Sequence, residues 1–178
     1  MEELIDIYDA DMNHIGVMEK KRAHAERQWH KGAHIWIADG KNVLVQLRAP
    51  NVFQYPNMWS FSAAGHLKAG DNPLTGAKRE YEEELGLEWT FGDIKEDCII
   101  NFGEMRDGNF ENEFIYLYFL KAKLDLTKLK IQQEEVADIK YIPYDQFVAS
   151  WDRADFHTSV FPQHYKETVL NGLAKLLD

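Results

Sequence analysis

Cysteine is almost absent: the 178 residues include one, Cys98. A lone thiol excludes an internal disulfide and fits a reducing compartment such as the cytoplasm. Proline is also scarce, with five residues, and no run rich in Gly, Ser and Pro marks a linker. The expectation is one domain over residues 1–178, with residues 1–30 as an N-terminal extension packed on it. No apolar run approaches the length of a membrane span, and the acidic N-terminus does not read as a signal peptide. Positive charge is in deficit, 20 Lys and Arg against 30 Asp and Glu, for a formal charge of −10. That balance argues against a nucleic-acid surface, which needs a basic patch. Repeats and low-complexity stretches are missing as well.

What the chain does have is 45% hydrophobic residues and 13% aromatics, enough for a globular fold with its own core. It also concentrates acid in one place. Glu80, Glu82, Glu83 and Glu84 stand within a segment bounded by Asn72–Pro73 and Gly86. Asp71 or Asn72 suits an N-cap, Pro73 the first helical position and Gly86 the C′ position, which predicts a helix between them. Leu74, Ala77, Tyr81 and Leu85 follow helical spacing on a packing face. Glu80, Glu83 and Glu84 fall at i, i+3 and i+4 and share another face, where like charges repel. Three carboxylates gathered against that repulsion point to a hard divalent cation such as Mg²⁺ or Mn²⁺. The preceding segment, Gly65 to Gly70, reads as a loop through which backbone carbonyls and a ligand approach closely.

Residues 65–87, GHLKAGDNPLTGAKREYEEELGL, resemble the signature of the Nudix hydrolases. Gly65, Arg79, Glu80, Glu83, Glu84, Gly86 and Leu87 match that pattern. Asp71 stands where the family has Glu, and Tyr81 where an aliphatic residue is usual. The resemblance implies an α+β fold, a Nudix-type α/β/α sandwich with a mixed sheet. It also implies hydrolysis of a diphosphate linkage in a nucleoside diphosphate derivative or another organic pyrophosphate. Glu80, Glu83 and Glu84 would hold the catalytic metals, the Gly65 carbonyl would be a further ligand, and Arg79 would orient a glutamate through a charge-assisted bond.

The rest of the chain fits such a sandwich. Leu4–Tyr8 and Ile15–Met18 flank a polar turn and predict a hairpin. Residues 33–38 and 43–48 flank an Asp-Gly-Lys-Asn turn and predict a second one. Trp59–Ala63 reads as a short strand leading into the Gly65 loop. Residues 98–105, 113–123 and 136–142 read as strands, the second by its alternation. Helices are expected over Tyr144–Trp151 and Gln163–Leu177.

A second resemblance runs along nearly the whole chain. DIYDADMNHIG, WHKGAHIWI, LVQLRA, PNMWSFSAAGH and ENEF are similar, in order, to the isopentenyl-diphosphate isomerases and isomerase-like Nudix hydrolases. Those isomerases carry a cysteine just before the Gly-His of the loop, and this chain has Ala64 there. Without that thiol, proton transfer to and from an alkene carbon has lost one partner. The isomerases also hold a metal through histidines and two glutamates, which correspond here to His24, His30, His66, Glu111 and Glu113. Such a set suits Zn²⁺ or Mn²⁺ and implies a second divalent ion. Arg48, at a strand end, could meet a phosphate or be a solvated arginine. Glu134 and Glu135 precede a strand where Nudix enzymes often keep a glutamate base, an exposed loop pair being the alternative. Trp29, Trp36 and Trp59 either line a pocket or pack in the core, and Trp59 is taken as a substrate contact. The leading reading is a Mg²⁺-dependent hydrolase acting on a small-molecule diphosphate. Its rivals are an isopentenyl-diphosphate isomerase and a non-catalytic Nudix regulator that binds a nucleotide sugar. Substrate and oligomeric state carry no motif.

Overall fold

β3 (His30–Ala38) is buried along almost its whole length, with Ile35, Trp36 and Ile37 wholly enclosed. A strand covered on both faces must sit between layers, and this one organises the sheet. In the computed structural model, which describes residues 3–177, β3 pairs in parallel with β8 (Phe110–Lys121), from His30 opposite Glu113 to Ala38 opposite Lys121. The seven-stranded sheet runs β5–β4–β3–β8–β7, with β6 also on β3 and β9 also on β4. The remaining members are β4 (Asn42–Arg48), β5 (Trp59–Ser60), β6 (Ala63–His66), β7 (Cys98–Glu104) and β9 (Val136–Pro143).

Each face of the sheet has its own core. Ile35, Ile37, Leu44 and Tyr118 pack with Ala77, Tyr81 and Leu85 of α2 (Pro73–Leu85) on one side. On the other, Trp36, Val45, Phe61 and Leu117 pack with Phe147 of α3 (Tyr144–Ser150) and with Tyr165, Val169 and Leu173 of α4 (Gln163–Ala174). Helices on both faces of a mixed sheet make the expected sandwich. The N-terminal hairpin is also present, as β1 (Leu4–Tyr8) and β2 (His14–Glu19). It continues into a helix the sequence did not announce, α1 (Lys20–Ala25), whose Ala23 packs with Ile5 and Ile7. Tyr8 bridges to Trp29 and Ile5 to Lys68, which fixes this unit beside β3 and β6.

Two local expectations are corrected. The Asp-Gly-Lys-Asn turn joins β3 and β4, but the strands pair only at Ala38 and Val43 and then part. The segment after β5 enters between them. Ser62 Oγ accepts from Ile37 N at 2.8 Å and donates to Leu44 O at 2.7 Å, so one hydroxyl spans the opened seam. Trp59–Ala63 is accordingly not one strand. β5 pairs with β4, Phe61 and Ser62 cross the seam, and β6 pairs with β3. Gly65 and His66 lie inside β6, not in a loop, and the chain leaves the sheet only after them.

Replacing Ser62 with Ala should therefore destabilise the fold out of proportion to one lost hydroxyl. It leaves the Ile37 N–H and the Leu44 carbonyl without a partner in a dry seam, at a cost of about 1–3 kcal/mol for each stranded group. Urea denaturation should show a lower midpoint at an unchanged slope.

Candidate metal and diphosphate site

Helix α2 begins and ends as its sequence dictates. Asn72 Oδ1 accepts from Thr75 N at 2.9 Å, Pro73 opens the first turn, and Gly86 closes the helix at φ 65°. A cap of this type is worth about 1 kcal/mol. Asp71 does not cap. Its Oδ2 accepts from Lys68 N at 3.1 Å and from Arg79 Nη2 at 3.2 Å. The shorter acid is thus engaged in holding Arg79.

Arg79 is the hub of the acidic face. Nη2 donates to the His66 carbonyl at 2.9 Å, while Nη1 lies 2.5 Å from Glu80 Oε1 and 3.4 Å from Glu83 Oε2. Glu80 and Glu84 are buried, whereas the Glu83 side chain is 45% exposed. Glu84 accepts from the Ala64 N–H at 2.9 Å and faces Gln46 Nε2 at 3.3 and 3.4 Å. Burial pushes the Glu80 carboxyl up to about 7 against the pull of Arg79, with Glu83 and Glu135 adding repulsion. Burial, reinforced by the Glu80 charge, pushes Glu84 up to about 8. One guanidinium does not balance these acids, so the site is short of positive charge. Glu82 faces elsewhere and accepts from Trp89 N at 3.0 Å.

Gly65 makes the close approach possible. A Cβ there would fall on the Glu80 carboxyl group, so only glycine lets β6 lie against this edge of α2.

The five residues assigned to a second ion come from four elements and converge. His24 lies in the last turn of α1, His30 opens β3, His66 ends β6, and Glu111 and Glu113 share one face of β8. His24 Nδ1 is 2.9 Å from Glu111 Oε2. His30 Nε2 and His66 Nε2 lie 3.2 and 3.1 Å from the same Glu113 Oε1. The three imidazoles offer ring nitrogens within 4.8 Å of one another, as do His30, Glu111 and Glu113 with their own ligand atoms. Register explains the meeting, since His30 stands opposite Glu113 and Gly32 opposite His66.

Hydrogen bonding tests whether a cation fits. His30 Nδ1 donates to the Gln28 carbonyl at 2.8 Å, so in the neutral ring Nε2 is a lone pair. That nitrogen is buried and lies 3.2 Å from a Glu113 carboxylate oxygen. Two acceptors face to face repel unless a proton or a metal lies between them. Burial lowers His66 to about 4 despite Glu113, whereas hydrogen bonding to Glu113 outweighs burial and raises His30. Glu113 itself, though desolvated, is held well below the usual carboxylate range by the two imidazoles. A neutral His66, an oriented His30 and ionised Glu113 are the donor set a divalent ion needs.

A pocket beside the histidine cluster is lined by Ala64, Gly65, His66, Glu111, Glu113 and Arg48, among others. Arg48 is half-buried against this pocket, and its Nε and Nη2 both donate to the Gln54 carbonyl, at 3.1 and 2.9 Å. Gln54 Nε2 in turn bonds Glu111 Oε1. Trp59 does not line this pocket. Its ring carries Lys140 Nζ at 3.6 Å and packs against the core that holds Phe61. Trp29 stacks on Phe114, and Trp36 lies in the core. Glu135 is exposed and accepts from Gln132 Nε2 at 3.2 Å, close enough to repel Glu80 and Glu84. Cys98 lies on β7 opposite Leu117, outside the pocket. Sequence reasoning passed over Gln46, Gln54 and Gly32. Their roles depend on which strands become neighbours, and no local pattern marks them.

Comparison with known proteins agrees with this geometry. Residues 28–164 match the NUDIX domain family. An uncharacterized Nudix hydrolase of Clostridium acetobutylicum is 31% identical over 160 residues, covering 85% of this chain and 75% of that protein. Nudix hydrolase 3 of Arabidopsis thaliana is 30% identical over 155 residues, 82% of this chain, but the chain spans only 20% of that protein's length. An isopentenyl-diphosphate Delta-isomerase of Serratia proteamaculans is 29% identical over 120 residues, 66% of this chain and 65% of that one. Among solved structures, a Deinococcus radiodurans protein superposes with a TM-score of 0.71 at 14% identity, over 95% of this chain and 98% of that one, a likeness of fold alone. With the glutamate helix and the matched residues together, the chain belongs to the Nudix hydrolase family.

Proposed function

We propose that this protein hydrolyses the diphosphate linkage of a small organic diphosphate with Mg²⁺ or Mn²⁺ held by Glu80, Glu83, Glu84 and the Gly65 carbonyl. The observation that carries this reading is the pair of buried, mutually repelling carboxylates, Glu80 and Glu84, beside a pocket that also holds Arg48. A divalent ion bound there supplies an acidified water and neutralises phosphate charge, which also answers the repulsion an anionic substrate meets from a chain of charge −10. The protein's own groups do the rest. Arg79 keeps Glu80 and Glu83 aligned and ties α2 to the His66 carbonyl. Arg48 has unused N–H donors facing the pocket for a phosphate oxygen. Glu135, solvent-exposed and close to both buried acids, is placed to take the proton as a water oxygen bonds to phosphorus and the bridging P–O bond breaks. His24, His30, His66, Glu111 and Glu113 hold a second divalent ion beside the same pocket, where it helps to bind the diphosphate.

The isomerase reading fails at position 64. The Ala64 methyl moves no proton, and Cys98 lies outside the pocket. The regulator reading leaves the complete set of Arg79, Glu80, Glu83 and Glu84 without a task.

Glu83→Gln or Glu84→Gln should lower turnover at least about 10²-fold, the scale for losing a charge-stabilising group at a reacting centre. Phosphate release with and without Mg²⁺ measures it, and wild-type rates in both variants would sink the assignment. Glu84→Gln should also stabilise the ion-free protein. A carboxyl raised from 4.5 to about 8 on folding binds its proton more tightly folded than unfolded, so stability falls as pH climbs through that interval. In chelator the variant should melt a few degrees above wild type near pH 8.5, the shift that about 1 kcal/mol produces in a chain of this size. The gap should close toward pH 4.5, and Mg²⁺ should narrow it at high pH.

Metal analysis of protein purified without chelator should find a tightly held transition ion, in addition to exchangeable Mg²⁺. The joint replacement His24→Gln and Glu113→Gln should remove it while the circular dichroism spectrum stays unchanged. Purified protein incubated with isopentenyl diphosphate should give no dimethylallyl diphosphate and no proton exchange by NMR. Robust interconversion would promote the isomerase instead.

A further inference from the structure

One residue grips both an arginine of the pocket and a member of the histidine cluster. Gln54 lies in the loop between β4 and β5. Its carbonyl accepts from Arg48 Nε and Nη2 at 3.1 and 2.9 Å, and its side-chain Nε2 donates to Glu111 Oε1. The other Glu111 oxygen, Oε2, lies 2.9 Å from His24 Nδ1. Arg48, Gln54 and Glu111 all line the same pocket. The loop is pinned around this residue. Tyr55 stacks on His157 at 4.3 Å, and its hydroxyl donates to Asp107 Oδ2 at 3.0 Å. Asn57 N donates to the Arg48 carbonyl at 3.2 Å. Tyr55 and Asn57 both hold a left-handed backbone, at φ 50° and 58°, which residues other than glycine keep only where contacts impose it. Phe53, next to Gln54, is 95% exposed. The loop is therefore held by polar tethers at Gln54 and Tyr55, not by an apolar tip buried in a core.

We propose that Gln54 is a positioning residue for the second ion and couples that ion to Arg48. This rests on the reading of His24, His30, His66, Glu111 and Glu113 as the ion's ligands. Glu111 is buried, and a carboxylate left free to rotate presents its oxygens in many directions. Gln54 takes Oε1 and leaves Oε2 for the ion, as partners behind a metal ligand commonly do. The chemistry of the donor matters as much as its place. A lysine or arginine at this point would bring a positive charge and oppose a cation. An amide donates a hydrogen bond without charge, so it fixes Glu111 and does not compete with the ion. The coupling runs the other way too. An ion that holds Glu111 also holds the Gln54 side chain, and the carbonyl of that same residue grips Arg48. Linkage between two sites is reciprocal, so whatever orders this loop also strengthens the ion. A glutamine that merely tied the loop down would leave the ion's affinity independent of its amide.

The test is Zn²⁺ binding to chelator-stripped protein in excess Mg²⁺, which keeps Zn²⁺ off the glutamate helix. Affinity is read by competition with a chromophoric chelator. Gln54→Met keeps the reach of the side chain, removes its donor and leaves the carbonyl that holds Arg48. It should bind Zn²⁺ at least about tenfold more weakly than wild type, the lower end of the effect of losing a group that orients a metal ligand. On the wild type, Zn²⁺ should slow amide hydrogen exchange across residues 52–58. It should also sharpen the Arg48 Nε–H signal in NMR, assigned by its loss in Arg48→Lys. In Gln54→Met neither response should appear, even at Zn²⁺ concentrations that fill the site. Zn²⁺ affinity within twofold of wild type, or a loop response of equal size in both proteins, overturns the inference and leaves the ion site standing. A wild type that takes up no Zn²⁺, or as much as the joint His24→Gln and Glu113→Gln variant, overturns the ion reading and this inference with it. If Gln54→Met does not fold, the wild-type responses decide: exchange and NMR signals unmoved by bound Zn²⁺ sink the coupling.

Discussion

Everything in the site depends on how closely β6 lies against α2. Three consecutive residues of that strand serve three different ends. The Ala64 N–H fixes Glu84, Gly65 makes room for the Glu80 carboxyl, and His66 gives its side chain to Glu113 and its carbonyl to Arg79. A strand's side chains alternate, so successive residues naturally face different neighbours. Here the alternation places the glutamate helix on one side and the histidine cluster on the other. Gly65 is the constraint, because any side chain there displaces Glu80 or lifts the strand. The seam held open by Ser62 is its precondition, since β6 reaches β3 only where β4 has turned away.

The same closeness sets the electrostatics. Acids brought together and buried hold their protons, which is why Glu80 and Glu84 sit high while Glu113, between two imidazoles, sits low. The glutamate edge is deficient in positive charge, whereas Glu113 is balanced by the imidazoles beside it. A divalent ion would relieve the first centre's repulsion outright, whereas the second would favour ions that bond strongly to nitrogen. Arg79 links the two halves, holding Glu80 and Glu83 on one side and the His66 carbonyl on the other.

What could be read from the sequence is what is local. Asn72, Pro73 and Gly86 bound their helix by rules that act within a turn, and the face shared by Glu80, Glu83 and Glu84 follows from the helical repeat. The N-terminal hairpin and the helix carrying Tyr165, Val169 and Leu173 follow from the same short-range periodicities. The β3–β4 hairpin was misread because its Asp-Gly turn is real while its pairing is settled by Ser62, a residue outside the hairpin. Gly65 read as loop for a related reason: a glycine between small residues looks unstructured until a neighbouring strand and helix claim it. The convergence of His24, His30, His66, Glu111 and Glu113 could be anticipated only from family resemblance. It rests on a parallel register between strands about eighty residues apart, which no periodicity encodes.

His34 and Trp59 show how far residue type misleads without position. The tryptophan seemed a natural ring-binding wall, yet it lies against Lys140 and does not line the pocket. The histidine had no pattern around it and lines the pocket. Its cross-strand neighbour is Ala64, which lines the same pocket with it. The methyl at position 64 therefore bears on two things at once: it moves no proton, and it takes up less of the pocket it lines than a longer side chain would.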